Sequence, residues 1–132
     1  MVKISASLLS ARNNLKETLE EFNNLNVDYI HLDIMDGKFV SNNSFSEEEI
    51  DLIVNNSNKK LDVHLMVENP EEYIDRYNLN NVEFITIHYE SSNVLNAINK
   101  IKSINKKVGI SIKPNTNLEV LYSILDKLDL VL

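Results

Sequence analysis

Apolar residues along the chain switch repeatedly between two spacings. Short runs rich in β-branched and aliphatic residues occur at Lys3–Leu8, Tyr29–Ile34, Leu61–Met66, Phe84–His88, Val108–Ile112 and Leu128–Leu132. Alternating sides within each run predict β-strands. Between the runs, apolar residues recur at steps of three and four, as a helix with one covered side requires. The stripes are Leu15, Leu19, Phe22 and Leu25; Ile50, Ile53 and Val54; Tyr73, Ile74 and Tyr77; Val94, Leu95, Ile98 and Ile101; and Leu118, Leu121, Leu125 and Leu128. Helix starts are marked by Asn69-Pro70-Glu71-Glu72, by Ser46-Glu47-Glu48-Glu49 and by Thr116-Asn117-Leu118-Glu119, the last two reading as capping boxes.

Strands alternating with helices imply a parallel sheet joined by helical crossovers. An open doubly wound sheet and a closed barrel share that order. Strands of an open sheet, covered on both faces, tend to be continuously apolar. Here polar residues alternate within the strands: Ser5 and Ser7, His31 and Asp33, Asp62 and His64, Thr86 and His88. That pattern favours an α/β TIM (β/α)8-barrel, whose inner positions carry chemistry near the strand ends. A full barrel runs to about 250 residues. The expectation for these 132 residues is therefore a single partial domain, 1–132, truncated to about five βα units plus a sixth strand.

Composition narrows the function classes. There is no cysteine, which excludes a disulfide scaffold, a thiol nucleophile and a cysteine zinc site, and makes the cytoplasm the expected compartment. No run approaches the ~18 apolar residues of a membrane span, so no membrane partner is expected. The formal charge of −7 argues against nucleic acid as a partner. Asparagine is abundant and falls in scattered NN pairs, while glycine and proline number two each. Turns must therefore rely on Asn, Ser and Asp.

Candidate chemistry lies in two strands. In Tyr29–Met35, His31, Asp33 and Met35 share one face; in Leu61–Met66, Asp62, His64 and Met66 do. If the strands are neighbours, His31, Asp33 and His64 converge near the C-terminal mouth. Two imidazoles and a carboxylate suit a divalent metal: Zn²⁺, Fe²⁺, Mn²⁺ or Co²⁺. Isolated strand histidines are more commonly hydrogen-bonded core residues, so the reading depends on the three meeting. Asp62 reads equally as a residue orienting a ligand histidine or as a solvated strand end. Asp36 before Gly37 reads as a turn residue, His88 as lying near the mouth, and Lys113 as a surface cation with a buried stem.

The segments Ala6-Ser7-Leu8-Leu9-Ser10-Ala11, His31-Leu32-Asp33-Ile34-Met35-Asp36-Gly37-Lys38-Phe39-Val40, Leu61-Asp62-Val63-His64-Leu65-Met66-Val67, Thr86-Ile87-His88-Tyr89-Glu90 and Val108-Gly109-Ile110-Ser111-Ile112-Lys113-Pro114-Asn115-Thr116 resemble the ribulose-phosphate 3-epimerases. The related epimerases of allulose 6-phosphate share these segments. The resemblance implies a barrel of the ribulose-phosphate-binding type that inverts C3 of a phosphorylated ketose by proton abstraction. D-ribulose 5-phosphate and D-xylulose 5-phosphate, of the pentose phosphate pathway, would interconvert. It implies His31, Asp33 and His64 as metal ligands and Asp33 as one acid/base. Ser7, His64, Met35 and Met66 would line the substrate, the methionines as an apolar floor, although methionine serves equally as plain core packing. A homo-oligomer is the expected assembly.

Departures from the family pattern fall mainly in loops. Ala6 stands for the usual Pro, Val40-Ser41-Asn42 for Val-Pro-Asn, and Phe45-Ser46 for Phe-Gly. A second metal-binding, catalytic Asp on the seventh strand, and the phosphate-gripping loops, are not among these residues. The isolated chain is therefore expected to turn over poorly. The alternative is a non-catalytic half-barrel that self-associates or pairs with another chain through its open strand edges. A nucleotide-binding flavodoxin-like domain is disfavoured, because Ser10-Ala11-Arg12 stands where a glycine-rich loop would be needed.

Overall fold

The computed structural model describes residues 1–132. Six strands form one parallel sheet in sequence order: β1 (Ser5–Ser7), β2 (Tyr29–Met35), β3 (Lys60–Met66), β4 (Val82–His88), β5 (Lys107–Ser111) and β6 (Leu130–Val131). The helices α1 (Leu15–Asn24), α2 (Glu47–Asn56), α3 (Glu71–Ile74) and α4 (Val94–Ser103) provide crossovers. The sheet curls into part of a TIM barrel, as the alternation predicted.

Side-chain alternation splits the strands into two surfaces. Ile30, Leu32, Leu61, Val63, Leu65, Ile85, Ile87, Val108 and Ile110 lie outward, wholly buried. Leu19, Ile53, Ile74, Ala97, Ile98 and Ile101 from the helices belong to the same core. The opposite, concave surface carries Ser5, Ser7, His31, Asp33, Asp62, His64, Thr86 and His88. Gly109 belongs to it because its strand partner is Thr86. A Cβ at Gly109 would collide with the Thr86 side chain and backbone.

Local capping agrees with the sequence at α2. The Ser46 hydroxyl accepts the Glu49 N–H, and the Glu49 carboxylate accepts the Ser46 N–H. Elsewhere the starts differ. α3 follows Pro70 with no side-chain cap: the Asn69 amide N–H donates to the Glu72 carboxylate at 2.7 Å and its Oδ1 accepts the Ser92 hydroxyl, not a helix N–H. The helix predicted over Leu118–Leu128 is replaced by two 3₁₀ turns, Leu118–Leu121 and Leu125–Lys127. Its stripe is only partly covered: Leu121 is buried and Leu128 half-buried, while Leu118 and Leu125 are exposed. Without packing along one whole side, a segment containing Val120, Tyr122, Ser123 and Ile124 has little reason to stay α-helical. Asn117, not Thr116, caps the first turn, accepting the Glu119 N–H at 3.1 Å. No helix is long and apolar enough to cross a membrane.

Candidate metal centre

Strand register places the polar residues. β2 and β3 pair with His31 opposite Asp62, Asp33 opposite His64 and Met35 opposite Met66. His31 and His64 are therefore diagonal neighbours with Asp33 between them. The Asp33 Oδ1 atom lies 3.1 Å from His31 Nε2 and 3.1 Å from His64 Nδ1. One donor atom from each of the three residues falls within 4.8 Å of the others. Ligands bonded at 2.0–2.1 Å around a tetrahedral metal stand roughly 3.3 Å apart. Two imidazole nitrogens and a carboxylate oxygen at this spacing fit one face of such a polyhedron.

The surroundings orient these groups. The Ser7 hydroxyl donates to Asp33 Oδ2 at 3.0 Å and accepts the Leu9 N–H. His31 turns Nδ1 to Asp62 Oδ2 at 2.8 Å, and the same oxygen accepts the Ser5 hydroxyl at 2.9 Å. An ionised carboxylate only accepts, so His31 Nδ1 carries hydrogen and Nε2 is the atom available toward Asp33. Asp62, buried, is thus the orienting partner of His31 and not a solvated strand end.

Electrostatics follow from this clustering. Burial opposes charge on His31, but Asp33 and Asp62 outweigh it and hold its pKa up at about 9. Burial likewise opposes the Asp33 carboxylate, yet hydrogen bonds from His31, His64 and Ser7 hold its carboxyl well below the usual range. A proton on His31 and a bound cation are alternative sources of the positive charge that Asp33 faces.

The loop after β2 closes over this end of the sheet. Asp36 is a turn residue, as expected: its Oδ1 accepts the Lys38 and Phe39 N–H groups, each at 2.8 Å, while Gly37 takes φ of 71°. The Phe39 ring lies 4.9 Å from that of His88, and Lys113 Nζ sits 3.8 Å above the Phe39 centroid. Lys113 is therefore engaged with an aromatic face and the Phe39 carbonyl. Met35 and Met66, register partners, are partly exposed at the C-terminal ends of their strands.

Ser7, His31, Asp33 and His64 are brought together. His88 joins them in a way strand reading did not foresee, through the second nitrogen of His64. Glu90 stands behind it, 3.5 Å from His88 Nδ1. The His-x-Glu spacing over residues 88–90 was the available sign, although Glu90 lies in the turn that follows β4 and not on the strand.

Comparison with known proteins agrees with this architecture. Residues 3–132 match the model of the ribulose-phosphate 3 epimerase family. Ribulose-phosphate 3-epimerase of Synechocystis sp. is 33% identical over 99% of the chain and 59% of its own length. The chloroplastic ribulose-5-phosphate-3-epimerase of Arabidopsis thaliana is 32% identical over 98% of the chain and 47% of its own length. The Bacillus subtilis ribulose-phosphate 3-epimerase is 33% identical over 100% of the chain and 62% of its own length. The chain thus spans about half to three-fifths of these relatives. With a family match over nearly all of its residues, the chain belongs to the ribulose-phosphate 3-epimerase family.

Proposed function

We propose that these residues form the metal-binding part of an epimerase acting at C3 of a phosphorylated ketose, interconverting D-ribulose 5-phosphate and D-xylulose 5-phosphate. The observation that carries the reading is the convergence of His31 Nε2, Asp33 Oδ1 and His64 Nδ1. These three groups would hold a divalent cation, Zn²⁺, Fe²⁺, Mn²⁺ or Co²⁺. When bound, it supplies the positive charge that makes a hydrogen beside a ketone removable.

The chain's own part is proton handling and positioning. The Asp33 carboxyl, held ionised by its neighbours, is a base at neutral pH and takes the C3 proton from one side. Ser7 fixes the carboxylate through Oδ2 and lies beside the path of the substrate hydroxyls. Met35 and Met66 present thioethers that exclude water without competing for the proton. Inversion requires delivery from the other side by a second carboxyl, which the family resemblance assigns to a seventh strand.

Exchange of the C3 hydrogen with solvent deuterium, followed by proton NMR in the presence of metal, tests the reading. Asp33→Asn is expected to slow exchange by about 10²–10⁴-fold; exchange at the unaltered rate overturns the assignment. The purified 132-residue chain, with one of the two carboxyl groups, is expected to epimerise slowly or not at all. Robust turnover by it overturns the two-carboxyl mechanism.

A further inference from the structure

His64 has two ring nitrogens and only one faces Asp33. The other, Nε2, lies 2.9 Å from Nε2 of His88. Two imidazole nitrogens at that distance need one hydrogen between them, because two lone pairs or two N–H groups would repel. His88 is buried, and its Nδ1 has no hydrogen-bond partner. That atom faces Glu90 Oε2 at 3.5 Å, which is also buried and unpartnered. The other Glu90 oxygen is occupied: Oε1 accepts the Lys113 N–H at 2.7 Å and the Thr116 hydroxyl.

Hydrogen-bond direction along this row follows from its outer end. Two donors anchor Glu90, and an ionised carboxylate can only accept. Of the two facing atoms only His88 Nδ1 can then carry a hydrogen, which is the arrangement that avoids opposing lone pairs across 3.5 Å. A neutral His88 therefore has a lone pair on Nε2, which accepts the His64 Nε2–H. With a cation in place of the hydrogen that His64 Nδ1 otherwise shares with Asp33 Oδ1, a neutral His64 keeps its remaining hydrogen on Nε2 and its Nδ1 lone pair faces the space shared with Asp33 Oδ1 and His31 Nε2. Asp62 imposes the matching choice on His31 through a direct carboxylate contact. The two histidines are thus set by different devices, one through a carboxylate and one through an intervening imidazole.

We propose that His88 and Glu90 are positioning residues of the metal site, fixing His64 in the tautomer that offers its Nδ1 lone pair. The proposal rests on the metal-site reading above and deepens it. His88 Nε2 is taken by His64 and Nδ1 is turned toward Glu90, so neither ring nitrogen faces outward toward a substrate hydroxyl. A purely packing role, against the Phe39 ring, would be served equally by an apolar side chain of similar size.

The test uses the full chain and Co²⁺ or Zn²⁺ alone as the probe. Metal affinity is read by competition with a chromophoric chelator, and the His64 tautomer by ¹⁵N NMR of the Zn²⁺-loaded protein. Glu90→Gln and His88→Phe are each expected to weaken metal binding by about 10–100-fold. His88→Gln, whose side-chain carbonyl accepts the His64 Nε2–H, is expected to stay within a few-fold of the unaltered chain. The NMR spectrum of the unaltered protein, which needs no substitution, is expected to show hydrogen on His64 Nε2 and none on Nδ1. Unchanged affinity in both Glu90→Gln and His88→Phe overturns the proposal, as does hydrogen on His64 Nδ1 with metal bound. Failure of the unaltered chain to bind either metal overturns the metal site itself, an outcome distinct from unaltered binding by the variants.

Discussion

The two surfaces of the same curled sheet differ sharply in what they contain. The convex side is aliphatic, with Leu32, Val63, Leu65, Ile85 and Ile110 wholly covered by helices. The concave side, one residue out of phase on the same strands, is a hydrogen-bonded collection of Ser, Asp and His. Apolar burial on the convex side supplies the favourable free energy of folding. The concave side spends conformational freedom and desolvation on holding donors and acceptors in fixed directions. Period-two alternation lets one backbone ladder serve both, so substitutions a single residue apart should register in different assays.

The largest stability effect is expected on the convex side. Leu65→Ala deletes a wholly buried side chain and should lower unfolding free energy by about 2–5 kcal/mol, read from urea denaturation. A loss below about 1 kcal/mol would break the contrast. Next comes a concave-side exception. Gly109→Ala forces a methyl into Thr86 and should cost about 1–3 kcal/mol in the same measurement. Its neighbour should behave in the opposite sense. The Thr86 hydroxyl is buried without a partner, so Thr86→Val should stabilise by about 1 kcal/mol, whereas a loss of that size would reveal a bond that the concave side depends on.

The smallest effect at neutral pH is expected at Tyr77. Burial raises its hydroxyl to about 12 from an ordinary 10.0. A folded-state value above the unfolded one adds stability that is complete below pH 10 and is lost as pH rises through about 12. Tyr77→Phe should therefore leave the melting temperature at pH 7 nearly unchanged and flatten its decline in that alkaline window. An undiminished decline would assign it to other groups.

Much of this division was legible beforehand. Polar residues alternating with Leu, Ile and Val in Tyr29–Met35 and Leu61–Met66 disclosed the parallel strands, the curled sheet and the side on which chemistry sits. His31, Asp33 and His64 meet because register pairs Asp33 with His64, which is the pairing that adjacent parallel strands of matched height produce. Three things were not legible. Asp62 was ambiguous because burial, which decides between orienting a histidine and meeting water, is a tertiary property. The His64–His88 contact depends on the register of β4 against β3, which shifts between Leu61 and Asp62 and sets Thr86 opposite His64, and no local pattern encodes that. Spacing overcalled the segment after Thr116, since Leu118, Leu121, Leu125 and Leu128 have helical intervals but only partial cover. Thr116 itself, read as a cap, is taken instead by Glu90.

Asp36 binds two connections at once: beyond the Lys38 and Phe39 amides, its second oxygen accepts the Glu68 N–H at 2.8 Å, beyond the end of the next strand. Three main-chain donors on a single carboxylate pin the rim by backbone alone. Ser41 can therefore stand where the family pattern has Pro while the ends of the two central strands keep their alignment. One acidic residue thus holds the rim in place whichever side chain stands at position 41.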